Sequence, residues 1–348
     1  MNMTDNSATA LIAAFPEPVL LADADGRVTF ANHAALELFG RRTRGMHLRA
    51  ILRQPEVTGA LDRAIAGDAE VEADFIVTGH SGETVWRVTP RMLGHRGMVV
   101  LLRDVSDIAA AEAQRRDFVA NVSHELRSPL TVLAGFIETL QGPAGNDPAV
   151  RDEFLAIMAQ ETARMTGLVA DLLSLSRVEG SERVRPRTPV CVALAIRTTL
   201  AALRAQIADT GVAVDCDLPE TLPEVPGDHD QLVQVFRNII ENALRYGASG
   251  GRVGIRASRC EASPGIPGPV VRVTVQDFGE GVDPVFIPRL TERFYRVDAA
   301  RSRASGGTGL GLAIVKHIIG RHRGRLVIRS APGQGTTVDV ILPCVDPG

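Results

Sequence analysis

The stretch NVSHELRSPL (121–130) sets His124, Glu125, Ser128 and Pro129 within two turns of any helix that contains them. An imidazole attacks through its unprotonated ring nitrogen. A carboxylate such as Glu125 that accepts the Nδ1 proton leaves Nε2 as the nucleophile. Ser128 adds a hydroxyl one turn on, and Pro129 removes the N–H that would bond the Glu125 carbonyl, a weak point beneath the histidine. A second set lies in DHDQLVQVFRNIIENALRYG (228–247), where Asn238, Asn242 and Arg245 combine amide oxygens for a hard cation with a guanidinium for phosphates. A third is a pair of glycine clusters, QDFGEG (276–281) and GGTGLGLAIVKH (306–317). Glycine permits positive φ and lets backbone N–H groups approach a phosphate at a helix N-terminus. Neither cluster is a Walker A loop, since no GK[ST] follows, and Leu312 spoils a GxGxxG reading. Asp277-Phe278-Gly279 spells the DFG of eukaryotic-type protein kinases, but no HRD or VAIK element accompanies it, so the triplet is coincidental.

These groups need helices to place them. Projected at about 100° per residue, Phe118, Val119, Val122, Leu126, Leu130, Leu133, Ile137 and Leu140 fall within roughly 60° of one direction. His124 points the opposite way, beside Asp117, Asn121 and Ser128, which excludes a packed core histidine. A lone histidine there is ordinarily a solvated surface residue, and only Glu125 and Ser128 beside it favour chemistry. In 228–247, Leu232, Val235, Phe236, Ile239 and Ala243 share one face, and Gln234, Asn238, Glu241, Asn242 and Arg245 the other. Asparagine is a poor helix-interior residue, so two of them one turn apart call for a reason.

The 348 residues allow two or three domains. A formal net charge of -3 gives no basic field for nucleic acid. Four scattered cysteines (Cys191, Cys216, Cys260, Cys344) without a CxxC pair read as reduced cytosolic thiols. No stretch reaches the ~18 uninterrupted apolar residues of a membrane span, and the N-terminus lacks a basic leader region. The expectation is a cytoplasmic protein.

Residues 1–11 read as a flexible N-terminus. Residues 12–104 alternate short β-like runs (PVLLADA, RVTFAN, EADFIVT, TVWRVTP, GMVVLLRDV) with Gly-centred turns, predicting a small α+β domain. A helical period runs from Ser106 to Gln141, breaks at GPAGNDP (142–148) and resumes over 149–179, predicting a helical hairpin. We divide this region into a helical linker (105–117) and the hairpin proper (118–180). SERVRPRTP (181–189) is a second linker, and 190–345 mixes helices and strands as an α/β domain, with EASPGIPGP (261–269) as a hairpin loop.

FVANVSHELRSPL resembles the phosphoacceptor box of sensor histidine kinases, and LTVLAGFIETL continues it. The resemblance implies an antiparallel helical hairpin that dimerises through 118–180 into a four-helix bundle. The second helix's stripe (Phe154, Ile157, Met158, Met165, Leu168, Val169, Leu172, Leu175) suits such a core. The order of Asn-rich helix, DxGxG and GxGLGL resembles the Bergerat-fold ATP-binding sandwich shared with gyrase-type ATPases, and TERFYRVD (291–298) looks like its intervening F box. By that resemblance Asp277 bonds the adenine amino group, while Asn238 and Asn242 hold Mg²⁺. Arg245, here in place of the more usual lysine, lines the nucleotide with Tyr246. Arg296 and Arg301 lie near the phosphates in a mobile lid spanning about 296–308, and Gly279, Gly281, Gly307, Thr308, Gly309, Leu310 and Gly311 complete the ATP site.

LTERFYRVDAARSRASGGTGLGLAIVKHII, with the acceptor box, looks most like the phosphate-regulon sensor kinases. FPEPVLLADADGRVTFANHAALELFG resembles the opening of PAS sensor domains. No cofactor is expected there: no cysteine precedes Cys191, and His33, His47, His80 and His95 read as surface or capping residues. The implied function is an ATP-dependent protein-histidine kinase. It autophosphorylates His124 with Glu125 as base and passes the phosphoryl group to an aspartate of a separate response regulator, in phosphate-starvation signalling. Related kinases usually carry threonine or asparagine at the place of Ser128, so a regulator-phosphatase role for that residue is left open. Any membrane signal arrives through a membrane-complex partner, with peripheral association. The competing readings are a Bergerat-fold ATPase without phosphohistidine chemistry, and a non-catalytic kinase-like adaptor.

Overall fold

The computed structural model describes residues 10–68, 70–79, 82–94, 97–180, 184–297 and 307–345. The chain forms two compact units, residues 1–120 and 121–348. In the first, strands β1 (Val19–Ala22), β2 (Val28–Ala31), β3 (Ala73–Gly79), β4 (Gly82–Met92) and β5 (Met98–Asp104) form an antiparallel sheet ordered β2-β1-β5-β4-β3. Short helices between β2 and β3 cover one face, where Leu20, Leu52, Leu61, Val88, Val100 and Leu102 are buried. Asn32 explains the asparagine of FANHAAL. It is buried, Oδ1 accepts the Val19 and Ala35 N–H groups, and Nδ2 donates to the Phe15 and Glu17 carbonyls. One side chain thus caps a helix and ties it to β1 with its polar groups satisfied. His47 caps a helix through Nδ1, and His33 is exposed beside Glu37; His80 and His95 lie outside the described residues.

The acceptor helix runs Ser106–Gln141 and the return helix Pro148–Gly180, joined by a 3₁₀ turn. Residues 106–117 of the helical linker run without a break into the acceptor helix. That helix continues through Pro129, whose ring is buried, so the proline removes one hydrogen bond without breaking the element. Phe136 and Phe154 pack across the hairpin with ring centroids 4.8 Å apart.

The remainder is a layered α/β fold. Strands β6 (Thr188–Val190), β7 (Ala213–Asp217), β8 (Val225–Gly227), β9 (Arg252–Cys260), β10 (Val270–Asp277), β11 (Arg325–Ser330) and β12 (Thr336–Pro343) form a five-stranded sheet, β11-β12-β10-β9-β7, and a two-stranded one, β6-β8. Only β7 and β9 pair in parallel within the larger sheet. Strand β6 takes the last residues of the expected 181–189 linker, and residues 261–269 join β9 to β10 as a hairpin loop. Two helices matter for the site. The asparagine helix, His229–Tyr246, is capped by Asp228 and buries Leu232, Val235, Phe236, Ile239, Ile240, Ala243 and Leu244. The glycine-led helix, Gly311–Arg321, has no side-chain cap, which leaves first-turn N–H groups for another acceptor.

His322, at the end of the glycine-led helix, is fully buried. Its Nε2 accepts the Asp228 N–H at 3.0 Å, so the proton sits on Nδ1, which donates to the Ile318 carbonyl at 2.7 Å. Burial pushes its pKa below the ordinary 6.5, partly offset by the Ile318 carbonyl and Asp228. Below pH 6.5 the unfolded chain gains a proton that the fold resists, so this contribution is intact above that pH and lost as pH falls. We expect urea denaturation to show stability falling by up to about 1.4 kcal/mol per pH unit in that range. The slope should shrink in His322→Gln, and an identical slope in the variant would refute the assignment.

Glycines of the first cluster serve close packing. A Cβ on Gly279 would lie 2.1 Å from the Tyr246 carbonyl oxygen, and one on Gly281 2.0 Å from that of Ala331. Gly281 also has φ +70. These contacts dock the end of β10 onto the asparagine helix and the β11–β12 turn. Gly281→Ala should destabilise the domain by about 3–5 kcal/mol, from the clash and the left-handed backbone together. Thermal unfolding measures this, and a melting temperature within a degree of wild type would contradict it.

Candidate functional site

A cavity of about 740 Å³ opens between the asparagine helix, the end of β10, the glycine-led loop and the return helix. The polar face predicted for the asparagine helix lines it: Gln234, Asn238, Glu241, Asn242 and Arg245, with Arg237 and Tyr246. That face is left to line the cavity because the opposite face carries the apolar residues buried in the domain core. The Asn238 amide nitrogen donates to the Gly311 carbonyl at 3.1 Å, which leaves its oxygen as the available end. Asp277, Gly281, Arg296, Gly307, Thr308, Gly309 and Gly311 also line the cavity. Gly279 and Leu310 do not. Gly279 donates its N–H to Asp277 Oδ1, and Leu310 is buried behind the loop with its N–H on the Thr308 hydroxyl. Arg301 and most of the expected lid lie outside the described residues.

Asp277 is nearly buried, and Oδ1 accepts the N–H groups of Gly279 (3.0 Å) and Thr336 (3.1 Å). Among the described residues no donor reaches Oδ2. Burial pushes its carboxyl above the usual carboxylate range, against the lowering effect of those two N–H groups. The result is one carboxylate oxygen fixed by the fold and one left to recognise a ligand donor. Gly309, with φ +71, brings the glycine-led loop against the Phe294 backbone and aims the loop at the helix start. A volume of several hundred Å³, whose lining includes the half-satisfied Asp277 carboxylate, two asparagines, several arginines and an uncapped helix start, suits a nucleotide polyphosphate.

His124 is exposed on the acceptor helix, as its projection implied, and is not among the cavity residues. Glu125 is half-buried and connects the two. Its Oε2 receives Arg296 Nη2 at 3.2 Å and Arg164 Nη2 at 3.3 Å, and both arginines line the cavity. Arg296 is almost wholly buried, and its Nε has no acceptor among the described residues, a donor left over for an anionic ligand. Ser128 is exposed.

Sequence reasoning did not find the residues that the return helix contributes. Asp171 accepts the Thr308 hydroxyl at 2.8 Å, and Ser174 exchanges hydrogen bonds with Gln234. Burial pushes the Asp171 carboxyl up. Glu179 pairs with Arg293 at 2.7 Å and His317 at 3.7 Å. In the sequence these are ordinary polar residues of an amphipathic helix. The one available signal was their recurrence off the apolar stripe, which a solvated face shows equally.

Comparison with known families agrees with this geometry. Residues 114–181 match the His Kinase A (phospho-acceptor) domain, 227–346 the histidine kinase-, DNA gyrase B- and HSP90-like ATPase, and 9–72 the PAS domain. The phosphate regulon sensor protein PhoR of Pseudomonas aeruginosa is 36% identical over 93% of this chain and 71% of its own length. The sensor-like histidine kinase SenX3 of Mycobacterium tuberculosis is 35% identical over 96% of this chain and 79% of its own. Sensor protein kinase WalK of Staphylococcus aureus matches at 31% over 96% of this chain and 55% of its own. Among solved structures, histidine kinase ThkA, crystallised with response regulator protein TrrA, shares the fold at a TM-score of 0.51 and 19% identity, covering 97% of this chain and 98% of that one. A phosphoacceptor hairpin joined to an ATP-using domain, in a chain this similar to curated sensor kinases, settles the family: the chain belongs to the sensor histidine kinases of two-component systems and is a protein-histidine kinase.

Proposed function

We propose that His124 is the phosphoacceptor and that the phosphoryl group then passes to an aspartate of a separate response regulator. Nε2 attacks the γ-phosphorus, the bond to the β,γ-bridging oxygen breaks, and ADP leaves with the electron pair. Glu125 takes the Nδ1 proton, so that the product carries its phosphoryl group on a neutral ring. The observation that carries this reading is the Arg296–Glu125 contact, which joins the wall of the nucleotide cavity to the residue beside His124. In the same reading Asp277 Oδ2 accepts from the adenine amino group, and the oxygens of Asn238 and Asn242 hold Mg²⁺. The ion would neutralise charge on the phosphates. Ser128 keeps a hydroxyl one turn from His124 for a phosphatase step on the regulator.

Residues 12–104 then sense or dock, 105–117 transmit, 118–180 dimerise and 190–345 bind ATP. The apolar stripes support the dimer: Val119, Leu130, Ile137 and Val169 are each more than two-fifths exposed on a single hairpin, and a second hairpin would cover them. Identity to PhoR supports a phosphate-responsive signal. Among the described residues no helix is long and apolar enough to cross a membrane. We place the protein in the cytoplasm, associating peripherally with a membrane-complex partner, whose absence from a pull-down would count against that assignment. The test of the core proposal is incubation with γ-labelled ATP. Label that is acid-labile and alkali-stable, and that moves to a purified response regulator, is the expected result; acid-stable label would overturn it.

A further inference from the structure

Arg164 lies near the middle of the return helix, and neither its residue type nor its position in the sequence marks it for chemistry. Its side chain is 18% exposed. It lines the nucleotide cavity and also bonds Glu125 Oε2 through Nη2 at 3.3 Å, while Nη1 reaches Glu161 at 3.4 Å. Arg296 reaches that same Glu125 oxygen. One oxygen of the carboxylate is therefore clamped by two guanidiniums, and among the described residues no donor occupies Oε1.

We propose that Arg164 is a positioning residue for phosphoryl transfer, bridging the cavity wall to Glu125 and holding that carboxylate with Oε1 free for the His124 proton. The assignment rests on the reading of His124 as acceptor and Glu125 as base. Arg164 rather than Arg296 suits a standing role, because Arg164 and Glu125 sit on the two helices of one hairpin. Their pair persists wherever the ATP-binding domain lies, whereas the Arg296 pair requires that domain to be docked. Glu161 holds the other end of the guanidinium, so the fork is fixed at both sides before nucleotide arrives.

The test is a double-mutant cycle in the full chain, read as autophosphorylation rate against ATP concentration. Arg164→Ala should lower the limiting rate about 10- to 100-fold and leave the KM for ATP within about threefold, since orientation of a general base contributes on that scale. Arg164→Lys should recover part of the loss by restoring the charge without the fork. In a Glu125→Gln background, removing Arg164 should cost less than about threefold more, because two residues acting through one step are not additive. Fully multiplying losses would show that Arg164 acts independently of Glu125 and overturn the proposal. So would a raised KM with an unchanged limiting rate, which marks a phosphate ligand. Binding of a non-hydrolysable ATP analogue and thermal unfolding confirm folding, and Arg164→Gln replaces the alanine variant in the cycle if the latter unfolds. A normal limiting rate in Arg164→Ala beside a dead His124→Gln overturns this assignment alone; label on His124→Gln overturns the acceptor reading beneath it.

Discussion

Replacing His124 by glutamine is expected to abolish phosphate incorporation while leaving ATP-analogue affinity within about twofold of wild type. The side chain is exposed on a helix and lines no part of the cavity, so glutamine, polar and of similar size, meets no packing or desolvation cost there. It offers no nucleophilic nitrogen, however, and Ser128, exposed one turn away, has no base hydrogen-bonded to it among the described residues. Rates should therefore drop below detection, rather than by the modest factor that follows loss of a binding contact. Quantitative labelling with parallel analogue titration measures both quantities, and retained labelling would refute the acceptor assignment.

Asp277→Asn should act the other way round, removing nucleotide binding without harming the fold. Oδ1 of the new side chain can still accept the Gly279 and Thr336 N–H groups, which fixes its orientation. The amide nitrogen then stands where Oδ2 was and presents a donor to the adenine amino donor. Losing a charge-assisted hydrogen bond and leaving two donors opposed corresponds to a fall in affinity of about 100-fold or more. Burial raises the Asp277 carboxyl above its ordinary 3.8, so at neutral pH its charge costs the empty domain stability. The nucleotide-free variant should accordingly melt no lower than wild type at pH 7. Calorimetric titration and thermal unfolding test the two halves, and tight binding by the variant would remove Asp277 from adenine recognition.

Much of the site was already legible in the chain. Apolar spacing in 107–141 and 228–247 fixed which way His124 and the Asn238–Asn242 row face, because a helix with one apolar stripe has only one side left for polar chemistry. The order of the glycine clusters located the cavity floor, and glycine excess at 276–281 announced tight backbone approach, although not that its purpose is packing against Tyr246 and Ala331. Buried His322 carries no such signal, since nothing in a linear text shows that residue 322 meets the N–H of residue 228.

By itself, then, the sequence determined the local elements, the faces they present and the family, all of which follow from short-range periodicity and residue type. Tertiary structure alone decided what meets at the site. Arg164, Asp171 and Arg296 come from a hairpin helix and a loop far apart in the chain, and their convergence on Glu125 and Thr308 depends on how the helices pack. The reason is physical. Periodicity is written in neighbouring side chains, whereas a salt bridge across 171 positions depends on a packed three-dimensional arrangement that no local pattern encodes.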